Sequence, residues 1–223
     1  MRQESSSRFL SLHRLGLEWE SPSRWLRFGL GVAYFASLIA WELWDRYWED
    51  PLALFLSLLT LAYLALILSC YLRRGPDRPL RRADWLAQTV AVLGANLLAP
   101  ISMLPSQSYG AETFAVALSI VGLALSFWAV WHLGTAFSIA PEVRRLVTSG
   151  PYRWIRHPLY LAGFLIGLGL LAAKLSPASI GLFLGFVACQ ALRMGYEEEI
   201  MAAKLPEFAE YGRRTWALLP YVF

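Results

Sequence analysis

The chain has 223 residues, of which 57% are hydrophobic and 16% charged, and its formal net charge is +4. That is too apolar for an ordinary soluble domain of this size and too long for a single-span anchor. Set among apolar runs, the positive balance reads as contact with anionic headgroups rather than as nucleic-acid binding.

Residues 1–24 mix Arg, Glu and Ser without the apolar stretch of a cleavable signal peptide, and they read as an N-terminal cytoplasmic arm. Within it Phe9, Leu12, Leu15 and Trp19 fall near helical spacing, which suits either an interfacial helix or a flexible tail. Apolar runs of about twenty residues, enough to cross ~30 Å of hydrocarbon, follow near Trp25–Trp44, Pro51–Leu72, Trp85–Leu104 and Thr113–Phe137. Two tighter runs, Pro158–Leu175 and Pro177–Arg193, meet at Lys174, Ser176 and Pro177 and are expected to form a helical hairpin. The expected fold is all-α: one polytopic membrane helix bundle over residues 25–223, with about six transmembrane spans, a C-terminal helical hairpin and a cytoplasmic tail.

Orientation follows from the cations. All of the 20 lysines and arginines except Arg46 and Lys174 fall on one side of these spans. By the positive-inside rule that side is cytoplasmic and holds both termini. The excess of Arg over Lys suits a GC-rich bacterial genome, hence the bacterial inner membrane. Trp41, Trp44, Tyr47 and Trp48 around Glu42, Asp45 and Arg46 read as an aromatic belt at the outer interface. Cys70 and Cys189 lie inside apolar spans, with no disulfide or metal framework implied. Gln88, Asn96 and Gln190 read as interhelical hydrogen-bonding groups.

The densest chemistry follows the fourth span. His132-Leu133-Gly134 closes that span, and after a polar connector comes Gly150-Pro151-Tyr152-Arg153-Trp154-Ile155-Arg156-His157-Pro158. Gly and Pro stop regular structure, so Gly150–His157 is expected to be a shaped loop. Pro158 suits the first turn of a helix, where a missing N–H costs nothing. Arg156 and His157 then stand at the helix N-terminus, where free N–H groups favour a carboxylate or phosphate. Arg156 adds a planar fork for a carboxylate. Gly167 and Gly169 read as helix packing; Gly163 suits either packing or the approach of a flat ligand.

Past the sixth span stands Glu197-Glu198-Glu199. Arg193 lies four residues before Glu197 and can pair with it, which leaves Glu198 unaccounted for. Acids at a helix C-terminus oppose its dipole, so local stability does not explain them. The hairpin would return them to the level of Arg156 and His157. A cytoplasmic pocket with Arg and His at one end and carboxylates at the other suits a zwitterionic ligand.

The run Leu133-Gly134, Phe137-Ser138, Thr148, Gly150-Pro151-Tyr152-Arg153, Arg156-His157-Pro158-Leu159-Tyr160 and Gly163 resembles the isoprenylcysteine carboxyl methyltransferase family and its phospholipid methyltransferase relatives. The tail Arg193, Glu197-Glu198, Leu205-Pro206-Glu207-Phe208, Tyr211, Arg214 and Leu219-Pro220 continues the likeness, whereas the first three spans show no matching motif. The resemblance implies an S-adenosylmethionine-dependent methyltransferase whose catalytic part is residues 130–223. Tyr152, His157, Tyr160, Gly163, Glu197, Glu198 and Tyr211 would line the cofactor site. Arg156 and Glu198 would be catalytic, Arg156 holding the cofactor carboxylate or orienting an anionic acceptor. Phe208 and Tyr211 would close the pocket, with Phe208 standing where many relatives have Tyr. The implied acceptor is lipophilic, of isoprenylcysteine-carboxylate or phospholipid type, and enters from the bilayer; no metal or nucleic acid is implied. Glu199 leaves open which two acids face the ligand.

Two other readings compete. An NADPH-dependent reductase of the steroid-reductase superfamily shares an RHP-type loop and an ending like Ala217-Leu218-Leu219-Pro220-Tyr221-Val222-Phe223. Leu159 and Leu161-Ala162-Gly163 depart from that superfamily's pattern around the motif tyrosine. A non-catalytic membrane scaffold would retain the loop for packing and leaves the acids without a task.

Overall fold

A computed structural model describes residues 51–74, 96–104, 112–136 and 145–218, with short stretches between 29 and 40 and between 90 and 94. The arm, the outer aromatic cluster and the arginine-rich loop at 75–84 lie outside the described residues. Six α-helices are named here in chain order: α1 (Pro51–Arg74), α2 (Ala99–Met103), α3 (Glu112–Leu133), α4 (Pro158–Ala173), α5 (Pro177–Lys204) and α6 (Phe208–Arg214). Short 3-10 turns occupy Gly134–Ala136 and Gly150–Arg153. No strand occurs among the described residues, apart from one isolated parallel bridge between Ile155 and Trp216.

Among the described residues, two stretches are long and apolar enough to cross a membrane, Thr113–Leu133 and Pro177–Lys204; Ser57–Cys70 and Pro158–Ala173 are shorter apolar helices. Of the six spans expected, the first and much of the third fall outside the described residues. α3 stops at Leu133, before the expected Phe137, because Gly134 turns the chain with a φ of 51°. α5 runs the other way, past the expected Arg193 to Lys204. Its 28 residues amount to about 42 Å of helix, so the acids Glu197–Glu199 ride on its last turns and do not oppose its C-terminus.

α4 is held backbone-close by α3. A Cβ on Gly122 would lie 2.6 Å from Ile166 Cγ1 and 2.9 Å from Ala162 O, and one on Gly169 would lie 2.7 Å from Ala115 O. The reciprocal order of these contacts makes the pair antiparallel. Small residues at both crossings let the helices gain dispersion contacts that lipid cannot supply. α5 faces α4 through larger groups: Phe183 fills the space at Gly167 and Phe186 the space at Gly163, with Phe186 edge-on to Phe164 at 5.7 Å. A capping box starts α5, Ser176 Oγ accepting from Ser179 N at 3.1 Å and Ser179 Oγ from Ser176 N at 2.8 Å, with Pro177 in the first turn. The turn before it is tied down by Lys174, whose Nζ donates to Leu104 O at the end of α2. On the other flank, Ile67 and Cys70 of α1 pack with Val130 of α3, and Tyr34 donates to Asn96 Oδ1 at 2.8 Å, a polar tie of the kind expected of Asn96. Both cysteines are free thiols.

Candidate active site

The loop that opens α4 is shaped by its own sequence. Gly150 adopts a φ of 61°, which costs a residue with a side chain strain that glycine avoids. Space gives a second reason for glycine, since a Cβ there would meet three ring atoms of His132 at 2.5–2.6 Å. Pro151 then presets the 3-10 turn that buries Tyr152. Pro158 begins α4 as expected, and the carbonyl of His157 accepts from Tyr160 N and Leu161 N, both at 3.1 Å.

Arg156, His157 and Glu198 meet. Arg156 Nε donates to Glu198 Oε1 at 2.8 Å, and His157 Nε2 lies 3.0 Å from the same oxygen. His157 is 3% exposed and Glu198 34%. The sequence placed these groups at opposite ends of a ligand; the structure closes them onto each other. The physical cause is that a cation removed from water beside a carboxylate is stabilised most by direct contact.

The Arg156 fork does more than grip Glu198. Its Nη1 donates to Gly212 O at 2.9 Å and to Thr215 O at 2.6 Å. The guanidinium therefore joins three segments: the loop, α5 and the tail. Backbone bonds complete the join, from Trp216 N to Trp154 O at 3.0 Å, Arg156 N to Trp216 O at 2.7 Å and His157 N to Ala217 O at 3.1 Å. The backbone N–H groups of Arg156 and His157, just outside the helix N-terminus, are thus taken by the tail.

Tyr211 supports the same clamp. Its hydroxyl donates to Tyr152 O at 2.7 Å, while Thr215 Oγ1 donates to Tyr211 O at 2.7 Å. Burial pushes the Tyr211 hydroxyl up to about 12, offset in part by Arg156. Burial, then the nearby Glu197 charge, raises Tyr152 well above the ordinary tyrosine range. Phe208 is buried beside Tyr211, with ring centroids 6.2 Å apart.

A second cluster lies one turn into α4. Arg193 Nε donates to Glu197 Oε1 at 3.1 Å, the pairing read from their spacing. The Arg193 guanidinium stands 5.4 Å from the centroid of the Tyr160 ring, which also meets His157 edge-on at 5.3 Å. Tyr160 is buried, and its hydroxyl has no hydrogen-bond partner among the described residues; Gln190 Oε1 is likewise unsatisfied. A buried hydroxyl without a partner carries a desolvation cost that a bound polar ligand removes. At Gly163 a Cβ would sit 3.3 Å from Phe186 Cζ and 3.8 Å from Gln190 Nε2, so this glycine faces α5.

Two contributors were not assigned a role from the sequence. One is the tail at Thr215–Ala217, whose bridge to the loop is a backbone interaction with no side-chain signature. The other is His132, which the positive-φ Gly150 packs against; the co-occurrence of a span-ending histidine and a Gly-Pro turn was its only signal.

Residues 111–207 match the model of the phospholipid methyltransferase family. Two bacterial proteins are similar over part of the chain. One is the cobalt-zinc-cadmium resistance protein CzcN of Cupriavidus metallidurans, 37% identical over 108 residues, covering 47% of this chain and 49% of that protein. The other is the nickel-cobalt-cadmium resistance protein NccN of Alcaligenes xylosoxydans xylosoxydans, 34% identical over 125 residues, covering 54% of this chain and 58% of that one. The match thus spans about half the length of these relatives. Among solved structures, the eukaryotic intramembrane Ras methyltransferase ICMT (isoprenylcysteine carboxyl methyltransferase) aligns with 99% of this chain and 94% of its own, at 14% identity and a TM-score of 0.47. The Arg156–His157 loop and the paired glutamates both lie within the residues that match the phospholipid methyltransferase family model.

Proposed function

We propose that the protein is an integral membrane methyltransferase that uses S-adenosylmethionine to methylate a lipophilic acceptor at the cytoplasmic face of a bacterial inner membrane. The observation that carries this reading is the meeting of Arg156, His157 and Glu198 across 41 residues or more of sequence, inside the segment that matches the family. The described groups fit the donor's chemistry. Glu197 and Glu198 offer carboxylates to ammonium and hydroxyl groups, and the buried Tyr160 hydroxyl lacks a partner. Tyr152, His157, Gly163 and Tyr211 complete the set of residues assigned to hold it.

When bound, S-adenosylmethionine supplies an activated methyl group on a sulfonium. The chain's own task is to align the acceptor and keep water away. Arg156 acts in this scheme mainly by fixing Glu198 and the tail, because Nε and Nη1 are committed to protein atoms. The finer architecture, about six spans with both termini cytoplasmic, lets a lipid-borne acceptor enter sideways while the donor enters from the cytoplasm. The NADPH-reductase reading gains no support from the family match.

Equilibrium binding to the detergent-purified full chain tests the proposal. Saturable binding of S-adenosylmethionine, weakened at least tenfold in Glu198→Ala, is expected. Saturable NADPH binding without S-adenosylmethionine binding would favour the reductase and sink the proposal.

A further inference from the structure

The segments that close the candidate site carry charge of one sign. Residues 145–157 and 211–218 hold five arginines and no Asp or Glu. Arg156 is paired with Glu198, and Arg214 with Glu210. Arg145, Arg153 and Arg213 are exposed, and none of them pairs with a carboxylate among the described residues. Arg145 reaches back to the end of α3, its Nη2 lying 3.4 Å from Leu133 O. Arg153 belongs to the loop and Arg213 to the tail. Like charges on two segments that must touch repel each other, so an anionic partner facing both favours their joined form.

The neighbouring aromatic surface indicates which anionic partner. Trp131 is 74% exposed, Trp154 53% and Trp128 43%. Trp128 and Trp131 stand three residues apart on α3 and are neighbours on its surface. The Trp154 ring lies 5.9 Å from that of Trp128, centroid to centroid. The indoles thus run from the end of an apolar helix onto the loop. Indoles in such a place belong at the headgroup level of a bilayer, and arginines beside them at that level face lipid phosphates. A soluble polyanion would meet the arginines and leave the apolar rings without a use.

The same segments carry the clamp. Trp154 O accepts from Trp216 N at 3.0 Å, and Trp216 O from Arg156 N at 2.7 Å. Gly212 O and Thr215 O, on either side of Arg213 in the chain, accept from Arg156 Nη1. A surface that holds Arg153 and Arg213 therefore holds both backbones that position Arg156, and through Arg156 it holds Glu198.

We propose that the loop–tail junction is a docking surface for the anionic headgroups of the leaflet, and that docking stiffens the clamp on Glu198. The lipids act here as effectors, not as methyl acceptors. This goes beyond the methyltransferase reading, and its readout needs no methyl donor.

The test is amide exchange of the full chain in nanodiscs of phosphatidylcholine, with or without phosphatidylglycerol. Phosphatidylglycerol is expected to slow exchange at Arg156, His157 and Trp216 roughly tenfold, the scale of two arginines near an anionic surface. Exchange in the middle of α3 should not change. Salt at about 1 M, where charges are screened over ~3 Å, should remove most of the slowing. Arg153→Gln combined with Arg213→Gln should abolish it while leaving the melting temperature in phosphatidylcholine unchanged. Equal exchange in the two lipids, or slowing that survives in the double variant, overturns the inference. The same slowing by inorganic phosphate in phosphatidylcholine discs would assign a site for free anions and overturn the docking surface. Failure to bind S-adenosylmethionine would sink the methyltransferase reading alone, since the exchange comparison decides the docking surface without it.

Discussion

Replacing Arg156 by Lys keeps a positive charge and removes a geometry. The guanidinium makes three hydrogen bonds, to Glu198 Oε1, Gly212 O and Thr215 O. Nε and Nη1 diverge, so one side chain reaches both α5 and the tail. A lysine ends in a single nitrogen, which can retain the carboxylate or the carbonyls but not both. The substitution therefore forfeits one to two hydrogen bonds of the charge-assisted kind, each worth about 1.5–3 kcal/mol. Glu198 is about a third exposed, so solvent screening puts its share at the lower end. The expected loss is about 2–4 kcal/mol, a large part of a typical folding stability. For a chain of this length it corresponds to a melting temperature lower by roughly 5–15 °C. The loss should concentrate at the clamp. Amide exchange at Arg156, His157 and Trp216, whose N–H groups make the loop–tail bonds, should quicken far more than exchange in α3. On the proposed methyltransferase function, methyl transfer should fall at least tenfold because Glu198 loses its fixed position. A melting temperature within 1 °C of the unaltered protein, with unchanged exchange at those amides, would refute the clamp.

Other outcomes follow from single contacts. Tyr211→Phe removes the donor to Tyr152 O and is expected to cost about 1 kcal/mol, read as a small drop in the thermal melt. The raised Tyr211 hydroxyl also sets an alkaline limit. Folding favours its protonated form, so its contribution is complete below the ordinary 10.0 and is lost as pH climbs towards about 12. Melts across that window should fall less steeply in Tyr211→Phe, and an unchanged slope would exclude the contribution. Gly122→Ala would drive a methyl into Ile166 and the Ala162 carbonyl and is expected to destabilise by about 1–3 kcal/mol, whereas Gly181→Ala, which meets nothing within 4 Å, should be neutral or better. Equal melts for the two would contradict the backbone-close packing of α3 on α4.

How much of this was legible in the sequence depends on the range of the interaction involved. The Arg193–Glu197 pair follows from a spacing of four on a helix, and Pro158 at the first turn of α4 follows from proline's missing N–H. The return of Glu198 towards His157 was legible too, because a short turn between two apolar helices leaves few other places for it. The manner of the return was not. Sequence reasoning left Arg156 free for a ligand, since nothing local shows that Gly212 O and Thr215 O would take its Nη1. The length of α5 was also misjudged, because the acids were taken to stand at a helix C-terminus when the helix runs past them to Lys204.

The sequence by itself determined the apolar runs, the basic loop and the acids that oppose it, because these are properties of residue type and spacing along one helix or turn. The closing of the loop by the tail, the seating of His132 against Gly150 and the burial of the Tyr160 hydroxyl were decided only by the tertiary structure. Each of these depends on backbone groups or empty space supplied by a distant segment. Carbonyls and absent Cβ atoms look the same at every position of a sequence until the fold brings their partners beside them.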